Sequence, residues 1–187
     1  MSSGGHQLSY VCGNIDKPLL YQSVGEALAS AAERWPDCEA VLVCHQNVRF
    51  TYLEFNQRVS RLARAFLASG LRTGDRLGIW SPNCVEWLLC QFATARSGII
   101  LVNINPAYRQ RELRFALRKA GCRALLIAPS FKSSNYAEMI RSMVPPAALG
   151  GSGSLDCEEF PDLKLLVQLG SKNIPDFLSF SDLMLRA

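Results

Sequence analysis

Two histidines, seven cysteines and one glycine-rich run are the residues of this chain whose types invite a chemical role. A metal site needs several ligands at close spacing, yet His6 and His45 lie far apart, and neither has cysteine or carboxylate neighbours at ligand spacing. His6 falls in a terminal arm and His45 in a hairpin strand, so both read as structural. The cysteines are odd in number and form no Cys-x-x-Cys pair. With no Asn-x-Ser/Thr acceptor and no apolar signal segment beside them, they indicate a reducing compartment. Cys44, Cys84, Cys90 and Cys122 sit in apolar runs and read as small core residues.

A phosphate-binding loop needs closely spaced glycines, so that backbone N–H groups can approach the oxygens, and usually a lysine to balance their charge. Gly150-Gly151-Ser152-Gly153-Ser154 is the one candidate. It follows a Pro-Pro break instead of a strand, has no lysine close in sequence, and runs into Asp156, Glu158 and Glu159, which repel phosphate. It therefore reads as a linker. Glu86 and Glu112 have the right chemistry for acid/base work, but both fall in first turns of helices, where a carboxylate stabilises the helix end. Arg58, Arg61 and Arg64 line one face of a helix opposite an apolar stripe, the pattern of a solvated surface. No Gly-x-Ser-x-Gly elbow occurs. Residue chemistry alone thus names no catalytic, cofactor-binding or metal-binding residue.

Something must still position whatever the chain does, and the composition permits it. The 187 residues are 49% hydrophobic and 19% charged, which fits one ordinary globular α/β domain and argues against general disorder. A net charge of +4, spread along helical faces, gives no nucleic-acid footprint. The apolar runs fall short of the ~20 residues a spanning helix needs. An Arg-rich targeting segment is not read either, since the first arginine is Arg34.

Helix and strand signals alternate along the chain. Ser23 with Glu26, and Thr51 with Glu54, have capping-box spacing before helical apolar periods that end at Pro36 and Gly70. Residues 40–45 and 48–51 read as a hairpin around Gln46-Asn47. Arg76–Trp80 reads as a buried strand, followed by an interior helix capped by Asn83 and closed by Gly98. Strands are also predicted at Ile99–Ile104, Ala124–Ala128 and Lys164–Leu169. Helices are predicted over Leu113–Ala120 and Tyr136–Val144, with another starting beyond Phe180.

This alternation, with near-continuous apolar strands, predicts an α/β fold with a parallel sheet and helices on both faces. The strands at 76–80, 99–104 and 124–128 should be adjacent and parallel. Residues 1–22 are expected to be a flexible arm, and 23–187 one partial domain interrupted by a Pro/Gly/Ser surface linker at about 145–160. The last helix begins with no terminating signal before Ala187, so the domain is expected to continue beyond it.

The order Gly74-Asp75-Arg76, Pro82-Asn83, Glu86-Trp87, Gly98, Asn105-Pro106 and Glu112-Leu113, running to Ala120, resembles the opening region of the adenylate-forming enzymes. That family includes acyl-CoA synthetases, luciferases and peptide-synthetase adenylation domains. Within it, Leu8-Ser9-Tyr10-Val11, Gly98-Ile99-Ile100-Leu101-Val102 and Asn105-Pro106-Ala107-Tyr108 look most like a mitochondrial branch acting on medium-chain fatty acids. The resemblance implies a parent ligase that uses ATP, Mg2+ and coenzyme A: a carboxylate attacks the α-phosphate of ATP, and the coenzyme A thiol then displaces AMP. The family's phosphate loop, Tyr-Gly-x-Thr-Glu segment, ribose-binding aspartate motif and catalytic lysine do not occur in these residues. No site residue is therefore carried over, and the segment is expected to be inactive alone and to bind none of these cofactors tightly. The resemblance implies a mitochondrial location; without a targeting segment in these residues, a cytoplasmic one is the alternative. A truncated isoform acting as a non-catalytic binding or interaction module is the alternative to a ligase fragment.

Overall fold

Ser23 and Glu26 exchange hydrogen bonds, Ser23 N–H to the Glu26 carboxylate (2.7 Å) and Glu26 N–H to Ser23 Oγ (3.2 Å). They open α1 (Val24–Arg34). Thr51 and Glu54 open α2 (Tyr52–Ala68) in the same way. Both helices therefore start where the sequence places them. The structure, a computed structural model, describes residues 12–14, 16–171 and 173–187. His6 and the Leu8–Val11 match lie outside the described residues, as does most of the expected arm. The described residues from 12 to 22 are exposed and form neither helix nor strand.

Between the two capped helices lies the hairpin of β1 (Glu39–Val43) and β2 (Val48–Thr51), paired antiparallel. Cys44, His45 and Gln46 form a 3-10 turn instead of extending the first strand, and Asn47 closes it in the left-handed region (φ 51°). Asparagine tolerates that conformation better than most residues, which is how Gln-Asn replaces the commoner Asn-Gly.

The main sheet is built from β3 (Arg76–Trp80), β4 (Ile100–Ile104), β5 (Cys122–Ile127), β8 (Leu165–Gln168) and β9 (Leu178–Ser179), in the order β4-β3-β5-β8-β9. Every pairing in it is parallel. The three strands expected to be neighbours are neighbours. The intervening helices are α3 (Val85–Ser97) and α4 (Gln110–Ala120), each closed by a left-handed glycine, Gly98 and Gly121. A short hairpin of β6 (Ser130–Phe131) and β7 (Ser134–Asn135) leads into α5 (Tyr136–Arg141), and α6 (Phe180–Leu185) follows β9.

Strand alternation divides the core in two. Leu77, Ile79, Ala124, Leu126, Leu165 and Val167 point to one face and pack with α1, α2, α3 and Leu183 of α6. Ile104, Leu125, Ile127 and Leu166 point to the other and pack with Leu113 and Leu117 of α4 and Tyr136 and Ile140 of α5. Helices thus cover both faces, as a parallel sheet requires. Each fully buried leucine, isoleucine or phenylalanine stabilises the fold by roughly 1.5–3 kcal/mol relative to exposure. No residue of α3 is exposed before Gly98, matching the interior helix predicted from its all-round apolar pattern.

Several local expectations need correction. The N-cap of α3 is Cys84, which makes no side-chain cap; the acceptor comes from Gln46, whose Oε1 lies 2.6 Å from Val85 N. Asn83 is exposed and one residue too early. Cys44 is exposed and Cys84 half-buried, because the 3-10 turn takes Cys44 out of the strand; Cys90 and Cys122 are buried as expected. Leu67 is 48% exposed despite its place in the apolar stripe of α2.

The segment 145–160 is not a surface linker. Two 3-10 turns, Pro146–Ala148 and Gly151–Gly153, and bridges Leu149 to Leu155 and Ser154 to Leu165 tie it down, and Leu155, Cys157 and Phe160 are buried. Gly153 (φ 81°) lies so close to the β8–β9 backbone that a Cβ there would meet the Leu166 carbonyl oxygen at 2.3 Å. Close main-chain approach, not flexibility, is what the glycine supplies here.

Candidate functional site

In open parallel sheets, ligands bind outside the carboxyl ends of the strands at the point where the strand order reverses. Counting the sheet strands in chain order, β4-β3-β5-β8-β9 is second, first, third, fourth, fifth, so the reversal falls between β3 and β5. Trp80 ends β3, and Ala128 and Pro129 follow β5. This is the position at which a ligand crevice should open.

The Trp80 indole and the Tyr136 ring stack there with centroids 3.5 Å apart and planes 9° apart, and both side chains are fully buried. Their polar ends are satisfied by consecutive carbonyls of the turn after β4: Trp80 Nε1 donates to Asn105 O (3.1 Å), and the Tyr136 hydroxyl donates to Pro106 O (2.6 Å). Burial pushes the Tyr136 hydroxyl up to about 12. A phenol held protonated and bonded to a carbonyl locks a wall in place; it does not act as a base. Ser81 Oγ, next in the chain to Trp80, donates to Pro82 O (2.7 Å), and Gln168, the last residue of β8, is buried with Oε1 unpaired among the described residues.

The other candidates are scattered. His45 is exposed in the turn of the hairpin. Glu112 accepts the Arg109 N–H (3.1 Å) at the start of α4, and Glu86 accepts Gln46 Nε2 (2.9 Å) at the start of α3. Both do the helix-end work expected of them. Of the α2 arginines, Arg58 lies over the Phe50 ring and Arg61 Nε donates to Met184 O, so two of the three brace neighbouring elements. Arg96, half-buried in α3, donates to Gly25 O and to Asn56 Oδ1 and ties three helices together; burial lowers its pKa. Cys90 is pushed well up by burial and Cys122 to about 11, so neither is a thiolate at neutral pH. Among the described residues no cluster of three metal-ligating side chains occurs, and no helix is long and apolar enough to cross a membrane.

Sequence reasoning missed three relationships: the Trp80–Tyr136 stack, the Gln46 cap and the surroundings of the glycine-rich loop. Tyr136 and Trp80 are both visible as apolar-face residues, but no sequence signal pairs them across the intervening strands. In sequence the loop has no lysine close by; in space, Lys164 lines the same concavity.

Fold and site together define a doubly wound α/β unit with a buried aromatic stack at its switch point. A family-wide sequence profile described as "AMP-binding enzyme" matches residues 28–175. The chain belongs to that family. It is 38% identical over 177 residues to the medium-chain acyl-CoA ligase ACSF2, mitochondrial, of Mus musculus, covering 95% of this chain and 29% of that protein. The Homo sapiens protein of the same description is 40% identical over 162 residues, covering 87% of this chain and 26% of its own length. The crystal structure of a long-chain-fatty-acid-CoA ligase from Archaeoglobus fulgidus shares the fold with a TM-score of 0.74 at 19% identity, over 96% of this chain and 33% of that one. The chain spans under a third of the length of these curated relatives.

Proposed function

We propose that these residues are the amino-terminal scaffold of an ATP-dependent fatty acid–CoA ligase. In the whole ligase a carboxylate would be joined to AMP and then transferred to coenzyme A as a thioester. The observation that carries this reading is the 38% identity to a medium-chain acyl-CoA ligase over nearly all of the chain. On the same ground, a medium-chain fatty acid is the substrate we assign to the parent protein, and the mitochondrion its location.

We assign neither ATP nor Mg2+ to the described residues. The Trp80–Tyr136 stack stands at the switch point, and the glycine-rich loop sits at the opposite, amino end of the sheet, beside the first residues of β5 and β8. No step of the ligase reaction is therefore assigned to a residue of this chain, which on this reading does no adenylation by itself. What it supplies is a rigid, apolar wall: Trp80 and Tyr136 hold the turn after β4 against the carboxyl ends of β3 and β5, where a neighbouring domain could build a site.

A chimera tests this. Replacing the matching segment of the mouse ligase with this chain should leave a folded enzyme that still forms medium-chain acyl-CoA. A chimera that folds and binds its substrates but whose specificity moves away from fatty acids would contradict the reading.

A further inference from the structure

Three cationic side chains from three elements converge on one concavity of about 280 Å3 at the amino end of the sheet: Arg123 of β5, Lys164 just before β8, and Arg186 just after α6. Ser69 at the end of α2 and Ser152 and Ser154 of the glycine-rich loop complete its polar lining. From this we propose a binding site for a small oxyanion of the phosphate class, independent of the ligase reading above.

Charge accounting decides between this and a merely structural cluster. Lys164 Nζ is 2.8 Å from Asp156, which neutralises about one cation. Arg186 Nη1 donates to Ser69 Oγ (3.2 Å), so it serves the carboxyl end of α2 and caps its own helix. Two helix ends together carry about one negative charge, roughly half from each. Three cations against these two negative charges leave a surplus of about one, and Arg123 makes no side-chain hydrogen bond or ion pair among the described residues. Lys164 N–H donates to Arg123 O (2.9 Å), which brings the two residues together where the β5–β8 ladder begins. Two cations held that close repel one another. An oxyanion between them removes that repulsion, and the Ser152 hydroxyl of the loop offers it a hydrogen-bond donor, while Ser154 Oγ donates to Gly151 O (3.4 Å).

The ring of donors suits a tetrahedral oxyanion better than a carboxylate of matching size, because cations approach from β5, β8 and α6 and the hydroxyls from the loop and α2. A free phosphate and a phosphomonoester share this chemistry. The site is shallow and open to solvent, so its affinity is expected on the order of millimolar.

The test is a titration of the isotope-labelled 187-residue chain with inorganic phosphate, followed by the amide signals of Gly151 and Ser152 and the side-chain Nε–H of Arg123. Sodium chloride at matched ionic strength is the control, and glycerol phosphate forms a parallel arm. Saturable shifts confined to these residues, absent in chloride, are expected. Arg123→Gln should weaken binding by about fivefold or more, and Asp156→Asn, which frees Lys164, should tighten it severalfold. Tighter binding of glycerol phosphate than of phosphate assigns the anion to a larger ligand, and the reverse assigns it to the free ion. Shifts reproduced by chloride, no saturation with either phosphate, or unchanged affinity in the folded Arg123→Gln protein would overturn the proposal.

Discussion

Trp80 and Tyr136, fifty-six positions apart, lie face to face and donate their hydrogen bonds to consecutive carbonyls, Asn105 and Pro106. One pair thereby fastens β3, the turn after β4 and α5 into a single block. Trp80→Ala should cost about 3–5 kcal/mol, the range for emptying a buried aromatic site. Tyr136→Phe, which keeps the ring and strands only the Pro106 carbonyl, should cost about 1–3 kcal/mol. Urea unfolding measures both; a Tyr136→Phe loss as large as that of Trp80→Ala would show that the hydroxyl, not the stack, is the fastening.

Alkaline stability follows from the same burial. Tyr136 titrates at about 12 in the folded chain, raised by burial, and Cys122 at about 11, raised by burial with Arg76 opposing it. Unfolded, the groups titrate near about 10 and about 8.5. Raised values favour the protonated, folded form, so this stability is intact below about pH 8.5 and lost as pH climbs towards about 12. The urea midpoint should fall across that window, and the fall should shrink in Tyr136→Phe. The tyrosinate absorbance should also show a late phase that Tyr136→Phe removes. A late phase that survives in Tyr136→Phe, or none in the parent chain, would contradict it.

Gln46 caps a helix thirty-nine residues away: its Oε1 accepts from Val85 N and its Nε2 donates to Glu86. Gln46→Ala should cost about 0.5–2 kcal/mol, as other lost N-caps do. It should also speed exchange of the Val85 amide hydrogen more than that of amides in α2. Uniform acceleration across both helices would mean that the hairpin, not the cap, was damaged.

Gly153 combines a φ of 81° with contact against the β8–β9 backbone. Gly153→Ala should destabilise by more than the ~1 kcal/mol that glycine-to-alanine changes usually involve, because both conformation and space are refused. Gly151, which has open space around it, should accept alanine with a far smaller change. Thermal unfolding of the two variants compares them directly.

The parts of the fold that were legible in the sequence are those written locally. Capping boxes at Ser23 and Thr51, glycines at the ends of α3 and α4, and the apolar runs of β3, β5 and β8 each fix structure within a few residues. The run Ile99–Ile104 reads as an equally buried strand, yet β4 lies at the edge of the sheet with Ile100 49% exposed. What was not legible depends on neighbours distant in sequence. Asn83 looked like a cap because the better acceptor, Gln46, belongs to the hairpin. The 145–160 segment looked like a linker because composition cannot show that Gly153 is pressed against β8 or that Leu155 and Phe160 find the second core. The absence of a lysine near the glycine-rich loop was true in sequence and false in space, since Lys164 returns to it at the start of β8.

The central claim is that these residues are scaffold and do not themselves adenylate an acid. ATP–pyrophosphate exchange by the purified 187-residue chain with Mg2+ and a medium-chain fatty acid tests it most directly. Losing even one aimed donor typically costs ~100-fold or more in rate. An aromatic stack whose own donors are bonded to backbone carbonyls stands at the switch point, so no exchange above a buffer blank is predicted. Exchange that co-purifies with the chain, and falls away in Trp80→Ala or Tyr136→Phe, would contradict the account and place a catalytic site at that stack.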